Sequence, residues 1–188
     1  MSILDIRVLG DPILRQSTTP VKEITDELRK LVADMFETMH HARGIGLAAP
    51  QVGRTERLAV IEIEGEPLVV INPEILETSG KAKAEEGCLS IPDIYADVER
   101  PKDVVVRAMD LDGNTYEIQA TELLARCLLH EIDHLDGKLF LDYLSVLKRA
   151  AALTKWKLQQ DKYPGFIRRT ALETPEERDR HEHPDEEL

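Results

Sequence analysis

The stretch TELLARCLLHEIDHLDG, residues 121–137, decides how this chain folds and which chemistry it can support. A threonine can cap a helix at its start, a glycine can end it, and the leucines between them recur at helical spacing. Two histidines four residues apart, His130 and His134, then lie on one helix face with Glu131 between them. This spacing indicates a metal site, because both imidazoles can bind one ion while the carboxylate acts on a coordinated water.

A catalytic metal site of this kind needs a third protein ligand besides the two histidines. An elongated metalloprotease motif would place that ligand six residues after the second histidine, where this chain has Phe140. Residues 145–160 contain no acid that could serve as a ligand from a later helix. We therefore expect the third ligand upstream, and the candidate is Cys88 in EEGCLSIP, residues 85–92, since thiolates bind first-row divalent metals.

The only competing sulfur belongs to Cys127, and two alternatives involve it. It precedes His134 by seven residues, or about 10 Å along a helix, so we expect it to face a pocket beside the metal instead of ligating it. A disulfide between Cys88 and Cys127 would need an oxidising compartment. The N-terminal MSILD lacks the basic start and apolar core of a secretory signal, so we expect a cytoplasmic protein with reduced thiols.

Three separated segments of the chain form an ordered set of motifs: GIGLAAPQ at 44–51, EGCLS at 86–90 and HEIDH at 130–134. Together they resemble the motifs of the bacterial peptide deformylase family. The opening LGDPILR, residues 9–15, is also similar to the start of that family, and the resemblance covers about residues 3–150. It implies an enzyme that removes the N-formyl group from the N-terminal formylmethionine of nascent polypeptides and releases formate.

The resemblance also implies a ligand set and a metal. Cys88, His130 and His134 would hold one divalent ion per chain, which agrees with the ligand search above. Two imidazoles and one thiolate suit Zn(II), Ni(II), Co(II) and Fe(II). The identification of Fe(II) as the physiological ion is therefore an implication of the resemblance alone.

Hydrolysis of a formamide needs a nucleophile, a group that stabilises the developing oxyanion and a proton for the departing amine. We expect Glu131 to take a proton from water and return it to the leaving nitrogen; the alternative is a helix-surface carboxylate paired with a neighbour. The resemblance assigns the donors toward the formyl oxygen to the side-chain amide of Gln51 and the backbone N–H of Leu89.

Substrate choice should depend on a pocket for an unbranched methionine side chain. The expected apolar lining is Ile45, Leu124 and Cys127, and the backbone of Gly44, Ile45 and Gly46 could pair with an extended peptide. The glycine-rich run lacks the Lys-Ser/Thr ending of a phosphate loop, so nucleotide binding is not expected.

Two arginines are expected near the site. Arg100 is expected to pair with Glu86 or Asp133 and so orient the site, although a plain surface salt bridge is the alternative. Arg126, on the ligand helix, is a less expected neighbour for an apolar pocket.

The rest of the chain predicts one α+β domain, with antiparallel sheets around a central metal-binding helix and with a C-terminal helix. An apolar stripe from Thr25 to Gly44 predicts an early helix. The strands are predicted from short apolar runs at 58–63, 68–71, 104–109 and 116–120, the last pair joined by a turn at Asp112-Gly113. Residues 1–165 are expected to form the catalytic domain, without a membrane-length segment.

The C-terminal region divides into a basic and an acidic part. Residues 145–161 predict a helix that carries Lys148, Arg149, Lys155 and Lys157, which is either a solvated face or a contact with ribosomal RNA near the exit tunnel. No aromatic stacking platform supports nucleic-acid binding as the main function, and no DNA is expected as a partner. Residues 166–188 are expected to be an acidic, disordered tail, since 172–188 carry half of the chain's net charge of −12.

Two other functions remain compatible with the motifs. One is a metalloprotease that cuts ordinary peptide bonds, which the missing downstream ligand disfavours. The other is a non-catalytic metal-dependent or ribosome-associated binding module, in which Glu131 would be idle. Activity on a formylated peptide, compared with its unformylated counterpart, distinguishes all three.

Overall fold

The computed structural model describes residues 2–174, which form an α+β domain as the sequence predicts. The three α-helices of this part are α1 (Asp26–His41), α2 (Glu122–Leu135) and α3 (Val146–Gln159). Its strands are β1 (Ile6–Arg7), β2 (Gly46–Ala48), β3 (Leu58–Ile63), β4 (Glu66–Ser79), β5 (Ala82–Glu86), β6 (Ala96–Arg100), β7 (Asp103–Met109), β8 (Thr115–Thr121) and β9 (Ile167–Arg168).

The main sheet has five antiparallel strands in the order β2-β3-β4-β7-β8. The four apolar runs in the sequence all lie in strands of this sheet. The run at 68–71 is only the first part of β4, which continues to Ser79 through two register shifts. Such shifts add a residue to one strand and bend it, so β4 can leave the plane of its first half.

Each face of this sheet packs against a different helix. Along β3, Leu58 and Val60 point into the cluster with α1, whereas Ile61 joins the cluster with α2. This alternation follows from the two-residue period of a strand. Helix α1 packs on one face only, and its apolar stripe faces the sheet. Thr25 caps the helix by accepting from the Leu28 N–H at 3.1 Å.

Helix α2 is the central element of the fold. Every residue from 125 to 135 is buried, and the helix contacts β2, β3, β7 and β8. A helix that is buried on all sides must place its polar side chains against partners inside the protein. The predicted fold class, with sheets around a central HExxH helix, is confirmed.

Two smaller two-stranded sheets complete the domain, and both were missed by the sequence analysis. The hairpin of β5 and β6 lies beside α2, and β1 pairs with β9 near the end of the described chain. Helix α3 is capped by Ser145, whose hydroxyl accepts from Lys148 N, and it buries Trp156 and Gln159. Among residues 2–174, no helix is both long and apolar enough to cross a membrane.

Regular structure continues beyond residue 165, where the sequence analysis placed the domain boundary. Arg168 lies in β9, is almost fully buried and donates to the Glu173 carboxylate at 2.6 Å. The short strand could not be predicted because its partner, β1, lies at the other end of the chain. The remainder of the predicted tail, residues 175–188, lies outside the described residues.

The end of α2 generates a stability prediction. Gly137 follows the helix with a φ of +71°, and a Cβ atom there would lie 2.6 Å from the carbonyl oxygen of Arg15. Gly113 has a similar φ of +81°, but a Cβ there would meet no atom within 4 Å. Both alanine variants should lose about 1–2 kcal/mol from the left-handed backbone, and Gly137→Ala about 1–3 kcal/mol more from the overlap.

Urea unfolding of both variants, at the same metal content, measures this difference. Equal losses would show that the contact between Gly137 and the Arg15 backbone does not hold the end of the ligand helix.

Candidate active site

Helix α2 and the segment after β5 bring three potential metal ligands together. The ligand atoms of Cys88, His130 and His134 all lie within 4.8 Å of one another, and the three side chains are buried. The Cys88 Sγ is 3.2 Å from the His134 Nε2, and the two imidazole rings meet edge to face with centroids 5.0 Å apart. Among the described residues this is the one cluster of His, Cys, Asp and Glu with such ligand spacing.

The position of Cys88 follows from its local backbone. It comes two residues after β5 and begins a tight turn in which the Ile91 N–H donates to the Cys88 carbonyl at 2.8 Å. The Leu9 N–H donates to the Ser90 carbonyl, also at 2.8 Å, and ties this turn to the N-terminal segment. The thiol is therefore held by a rigid turn, which is required for a ligand that must stay within bonding distance of one ion.

The second sulfur lies elsewhere. Cys127 and Cys88 are both free thiols, and Cys127 Sγ is 3.9 Å from the Ile45 carbonyl oxygen. It is outside the ligand cluster. The disulfide considered above is absent, and the sulfur on α2 borders the loop before β2.

A buried carboxylate, Glu86, holds the first histidine. Its Oε2 lies 3.0 Å from His130 Nδ1, while Arg100 donates to both of its oxygens at 2.5 and 2.9 Å. Arg126 adds a further bond to Oε1 at 2.6 Å. Burial by itself raises the pKa of Glu86, but hydrogen bonds from His130 and Arg100 lower it to about 2. The ionised carboxylate fixes the His130 ring so that Nε2 faces the cluster.

The second acid of the motif is held in the same network. Asp133 accepts from Arg100 Nη1 at 2.8 Å and from the Tyr143 hydroxyl at 2.9 Å. The Arg100 guanidinium also lies 4.8 Å from the centre of the Tyr143 ring. Burial and the charge of Asp133 raise the pKa of Tyr143 to about 12, so its hydroxyl keeps the donated proton. Arg100 thus pairs with both of the acids considered for it.

The side chains around the cluster fit a divalent cation. His130 Nε2 and both oxygens of Glu131 are buried without a hydrogen-bond partner within the described structure. Buried polar atoms of this kind cost free energy unless another group satisfies them. Burial also lowers the pKa of His134 well below its ordinary value, which favours the neutral imidazole that a metal requires. Two imidazoles and a thiol are a suitable donor set for first-row divalent metals.

Glu131 lies on α2 between the two histidines, in a dry environment. Burial raises the pKa of its carboxyl well above the ordinary value. A Cβ atom at Gly46 would overlap this carboxylate and would lie 3.0 Å from Cys127 Sγ. The start of β2 therefore passes so close to α2 that only glycine fits at this position.

Gln51 approaches the cluster from the short 3-10 helix at Ala49–Val52. Its Oε1 accepts from the Ala48 N–H at 2.8 Å, which fixes the orientation of the amide. Its Nε2 then points toward Cys88 Sγ at 3.6 Å and Ser90 Oγ at 3.2 Å. An amide N–H is thus directed at the region beside the thiol.

The other residues expected to line the substrate pocket lie before and in β2 and on α2. A Cβ atom at Gly44 would lie 2.6 Å from Leu89 Cδ1, so this glycine allows the loop before β2 to contact the ligand turn. Ile45 and Leu124 pack against the apolar cluster that contains Cys127. The structure thus brings together the glycine-rich run, the turn at Cys88 and helix α2.

Two important neighbours were not identified from the sequence. Tyr143 was not considered, and Arg126 was noted without a partner. Besides Glu86, Arg126 donates to the Val98 carbonyl at 3.0 Å and to the Ala82 carbonyl at 2.9 Å. Its spacing four residues before His130 was an available signal, because both side chains then reach the same acid.

Comparisons with known proteins identify one family. The family model described as polypeptide deformylase matches residues 3–150. The peptide deformylase of Hydrogenovibrio crunogenus is 57% identical over 160 residues, which are 84% of this chain and 95% of that protein.

Solved structures give the same result. A peptide deformylase from Legionella pneumophila is 47% identical, with a TM-score of 0.81 over 86% of this chain and 99% of that one. A peptide deformylase from Synechococcus elongatus in complex with actinonin is 48% identical, with a TM-score of 0.80 over 82% and 88% of the two chains. With motifs, site geometry and sequence in agreement over most of its length, this chain belongs to the peptide deformylase family.

Proposed function

We propose that this chain removes the N-formyl group of formylmethionyl nascent polypeptides with the residues gathered around α2. In this reaction water adds to the formyl carbon, the C–N bond breaks, and formate and a free amino terminus are released. The observation that supports the proposal most directly is the ligand cluster of Cys88, His130 and His134 with the unpartnered carboxylate of Glu131 beside it.

Cys88, His130 and His134 are proposed as the ligands of one divalent ion, with Fe(II) as the physiological metal. Such an ion, when bound, acts as a Lewis acid toward the formyl oxygen and lowers the pKa of a coordinated water. Glu86 supports the proposed ligand set by accepting from His130 Nδ1, which leaves Nε2 for the metal. Arg100 donates to both Glu86 and Asp133, so it joins the end of β5 to α2.

Glu131 is proposed as the proton carrier. Its carboxylate would accept a proton from the attacking water and deliver it to the nitrogen of the departing amine. A carboxyl group whose pKa is raised by burial holds that proton more readily than an exposed one would. The absence of a hydrogen-bond partner for either oxygen within the described residues leaves both available for these transfers.

Gln51 and Leu89 are proposed as donors to the formyl oxygen. The Gln51 amide is oriented by the Ala48 N–H, so its own N–H needs no rearrangement when negative charge develops. The backbone N–H of Leu89 follows the ligand Cys88 directly in the chain and would provide the second donor.

The substrate is proposed to lie along the glycine-rich run. Strand β2 is at the edge of the main sheet, so an extended peptide could add to the backbone of Gly44, Ile45 and Gly46. Ile45, Leu124 and Cys127 are proposed as apolar contacts for the methionine side chain. Backbone pairing would make recognition independent of the later side chains.

A site of action in the cytoplasm, at the ribosome, is proposed from the nature of the substrate. Helix α3 carries four basic residues in an acidic chain and exposes Val146, Leu147 and Leu158. A basic helix surface can bind phosphate groups of RNA, which supports residues 145–161 as the contact.

The reaction itself is tested by formate release from formyl-Met-Ala-Ser, with acetyl-Met-Ala-Ser as the control. Protein purified without oxygen should contain iron and should release formate from the formylated peptide only. Cleavage of internal peptide bonds would instead indicate a protease, and no turnover at full metal occupancy would favour a binding module.

The role of Glu131 is tested by Glu131→Gln, which keeps the size of the side chain but cannot carry the proton. We expect kcat/KM to fall by about 10²- to 10⁴-fold while metal content is unchanged. Glu117→Gln, at an exposed carboxylate on β8, is the control for a change of charge alone. Retained activity in the first variant would remove Glu131 from the mechanism.

The choice between the two thiols is tested by metal analysis of Cys88→Ser and Cys127→Ser. The first variant should lose most of its bound metal, because a hydroxyl is a much poorer ligand than a thiolate. The second should keep one ion per chain. The opposite pattern would assign the third ligand to Cys127.

A further inference from the structure

A buried hydroxyl, that of Ser90, lies beside the proposed oxyanion donor and has no role in the proposed mechanism. Ser90 follows the proposed ligand Cys88 by two residues, and neither Ser90 nor Gln51 has any exposed surface. The two side chains are joined directly, because Gln51 Nε2 donates to Ser90 Oγ at 3.2 Å. A buried hydroxyl costs free energy unless it is hydrogen-bonded, and the Gln51 amide is the group that satisfies this one.

The backbone on both sides of Ser90 is fixed. The Ser90 carbonyl accepts from the Leu9 N–H at 2.8 Å, and the Ile91 N–H closes the turn by donating to the Cys88 carbonyl, also at 2.8 Å. A serine oxygen takes one of three staggered positions about a single bond, so a fixed backbone leaves it few places. The position of Ser90 Oγ is therefore set by the same turn that holds the proposed ligand Cys88.

The Gln51 amide is held at both of its ends. Its Oε1 accepts from the Ala48 N–H at 2.8 Å. Its nitrogen carries two protons, and two acceptors lie near it: Ser90 Oγ at 3.2 Å and Cys88 Sγ at 3.6 Å. A rotation of the amide by 180° would bring the NH₂ group against the Ala48 N–H, so that two donors would face each other. In the observed orientation one N–H is donated to the serine and the other lies on the side of the thiol.

These contacts give the two N–H groups of Gln51 different tasks. The N–H on Ser90 is bonded to a neutral oxygen inside the protein. The N–H beside Cys88 points toward the ligand cluster, where the formyl oxygen is proposed to lie. Because sulfur is a weak acceptor and the contact is 3.6 Å long, this second N–H can be donated to a substrate oxygen without the loss of a strong bond.

Removal of the Ser90 hydroxyl would leave the Gln51 amide held through Oε1 alone. A buried N–H that has lost its acceptor costs free energy, and the other acceptor within reach is Cys88 Sγ. The amide would then no longer be fixed so that one N–H faces the developing oxyanion in advance. Such advance orientation is what makes a donor effective in catalysis, since no free energy is spent on rearranging it during the reaction.

We propose that Ser90 is a positioning residue for the reaction: its hydroxyl accepts one N–H of Gln51 and so keeps the other directed at the formyl oxygen. The inference rests on the proposed function, because it takes Gln51 as a donor to that oxygen. Ser90 itself does not touch the substrate. Negative charge on the formyl oxygen is greatest in the transition state, so a well-directed donor raises kcat more than it lowers KM.

The role of Ser90 is tested by Ser90→Ala, with formyl-Met-Ala-Ser as the substrate and at equal metal content. We expect kcat to fall about three- to tenfold, as for the loss of one ordinary hydrogen bond, while KM stays within about twofold of the wild-type value. Ser79→Ala is the matched control, since Ser79 ends β4 and its exposed hydroxyl donates to Asp103 at 3.3 Å. Its kcat should equal that of the wild type. A wild-type kcat in Ser90→Ala would overturn the inference.

A double-mutant cycle with Gln51→Met separates positioning from a general structural role. Methionine is similar to glutamine in length but has no N–H, so in this background the serine has no donor to hold. Ser90→Ala should therefore lower kcat in the wild-type background and leave it unchanged in the Gln51→Met background. The same loss in both backgrounds would show that Ser90 acts independently of Gln51, which contradicts the inference.

The hydrogen bond also has a spectroscopic readout that does not depend on turnover. Zn(II) has a filled d shell, so in the Zn(II)-loaded protein the two protons on Gln51 Nε2 can be followed by NMR. The signal of the proton donated to Ser90 should move upfield in Ser90→Ala and stay in place in Ser79→Ala. An unchanged signal in Ser90→Ala would refute the bond, even where Gln51→Met turns over too slowly for the cycle.

Failure of this inference is distinguishable from failure of the proposed function. If wild-type protein releases formate and Ser90→Ala keeps the wild-type kcat, only the role of Ser90 is wrong. If Gln51→Met keeps the wild-type kcat, Gln51 is not the donor, and the inference fails while deformylation stands. If wild-type protein releases no formate from a formylated peptide, the proposed function fails and the role of Ser90 fails with it.

Discussion

The carboxylate of Glu86 is the interaction on which the rest of the site depends. It is buried, and it accepts from Arg100, Arg126 and His130. Removing a carboxylate from water costs several kcal/mol, which only well-placed partners offset. Loss of one partner from such a network typically costs about 3–5 kcal/mol, because it leaves a buried charge uncompensated. The donors come from β6 and α2, so this single acid at the end of β5 joins three elements around the proposed ligands.

A second constraint is the close approach of the glycine-rich run to α2. Side chains at Gly44 and Gly46 would overlap Leu89 and Glu131 respectively. The glycines let β2 lie against the ligand helix, while Gln51 reaches the same region from the following 3-10 helix. The three motifs are far apart in sequence. They meet because the glycines of the first motif leave room for Leu89 of the second and Glu131 of the third.

These observations explain what the sequence could predict. The spacing of His130 and His134 is a local property of a helix, and the strand at 58–63 follows from its apolar residues, so both were predicted correctly. The β5–β6 hairpin was missed because KAKAEE has little of the β-branched or aromatic character typical of strands. The bonds of Arg126 to the Ala82 and Val98 carbonyls depend on where that hairpin packs, and no local pattern encodes this. The same holds for Arg168, whose strand pairs with residues near the N-terminus.

Arg126 links the β5–β6 hairpin to the proposed metal ligands. Its guanidinium lines a cavity that Tyr95 also lines, and it binds Glu86, which orients His130. A displacement of this side chain by a bound peptide would therefore change the support of a proposed metal ligand. Three bonds to fixed acceptors oppose such a displacement: one to Glu86 and two to backbone carbonyls of the hairpin. The same bonds satisfy the guanidinium in its buried position, so Arg126 supports Glu86, and through it His130, from a fixed place beside the hairpin.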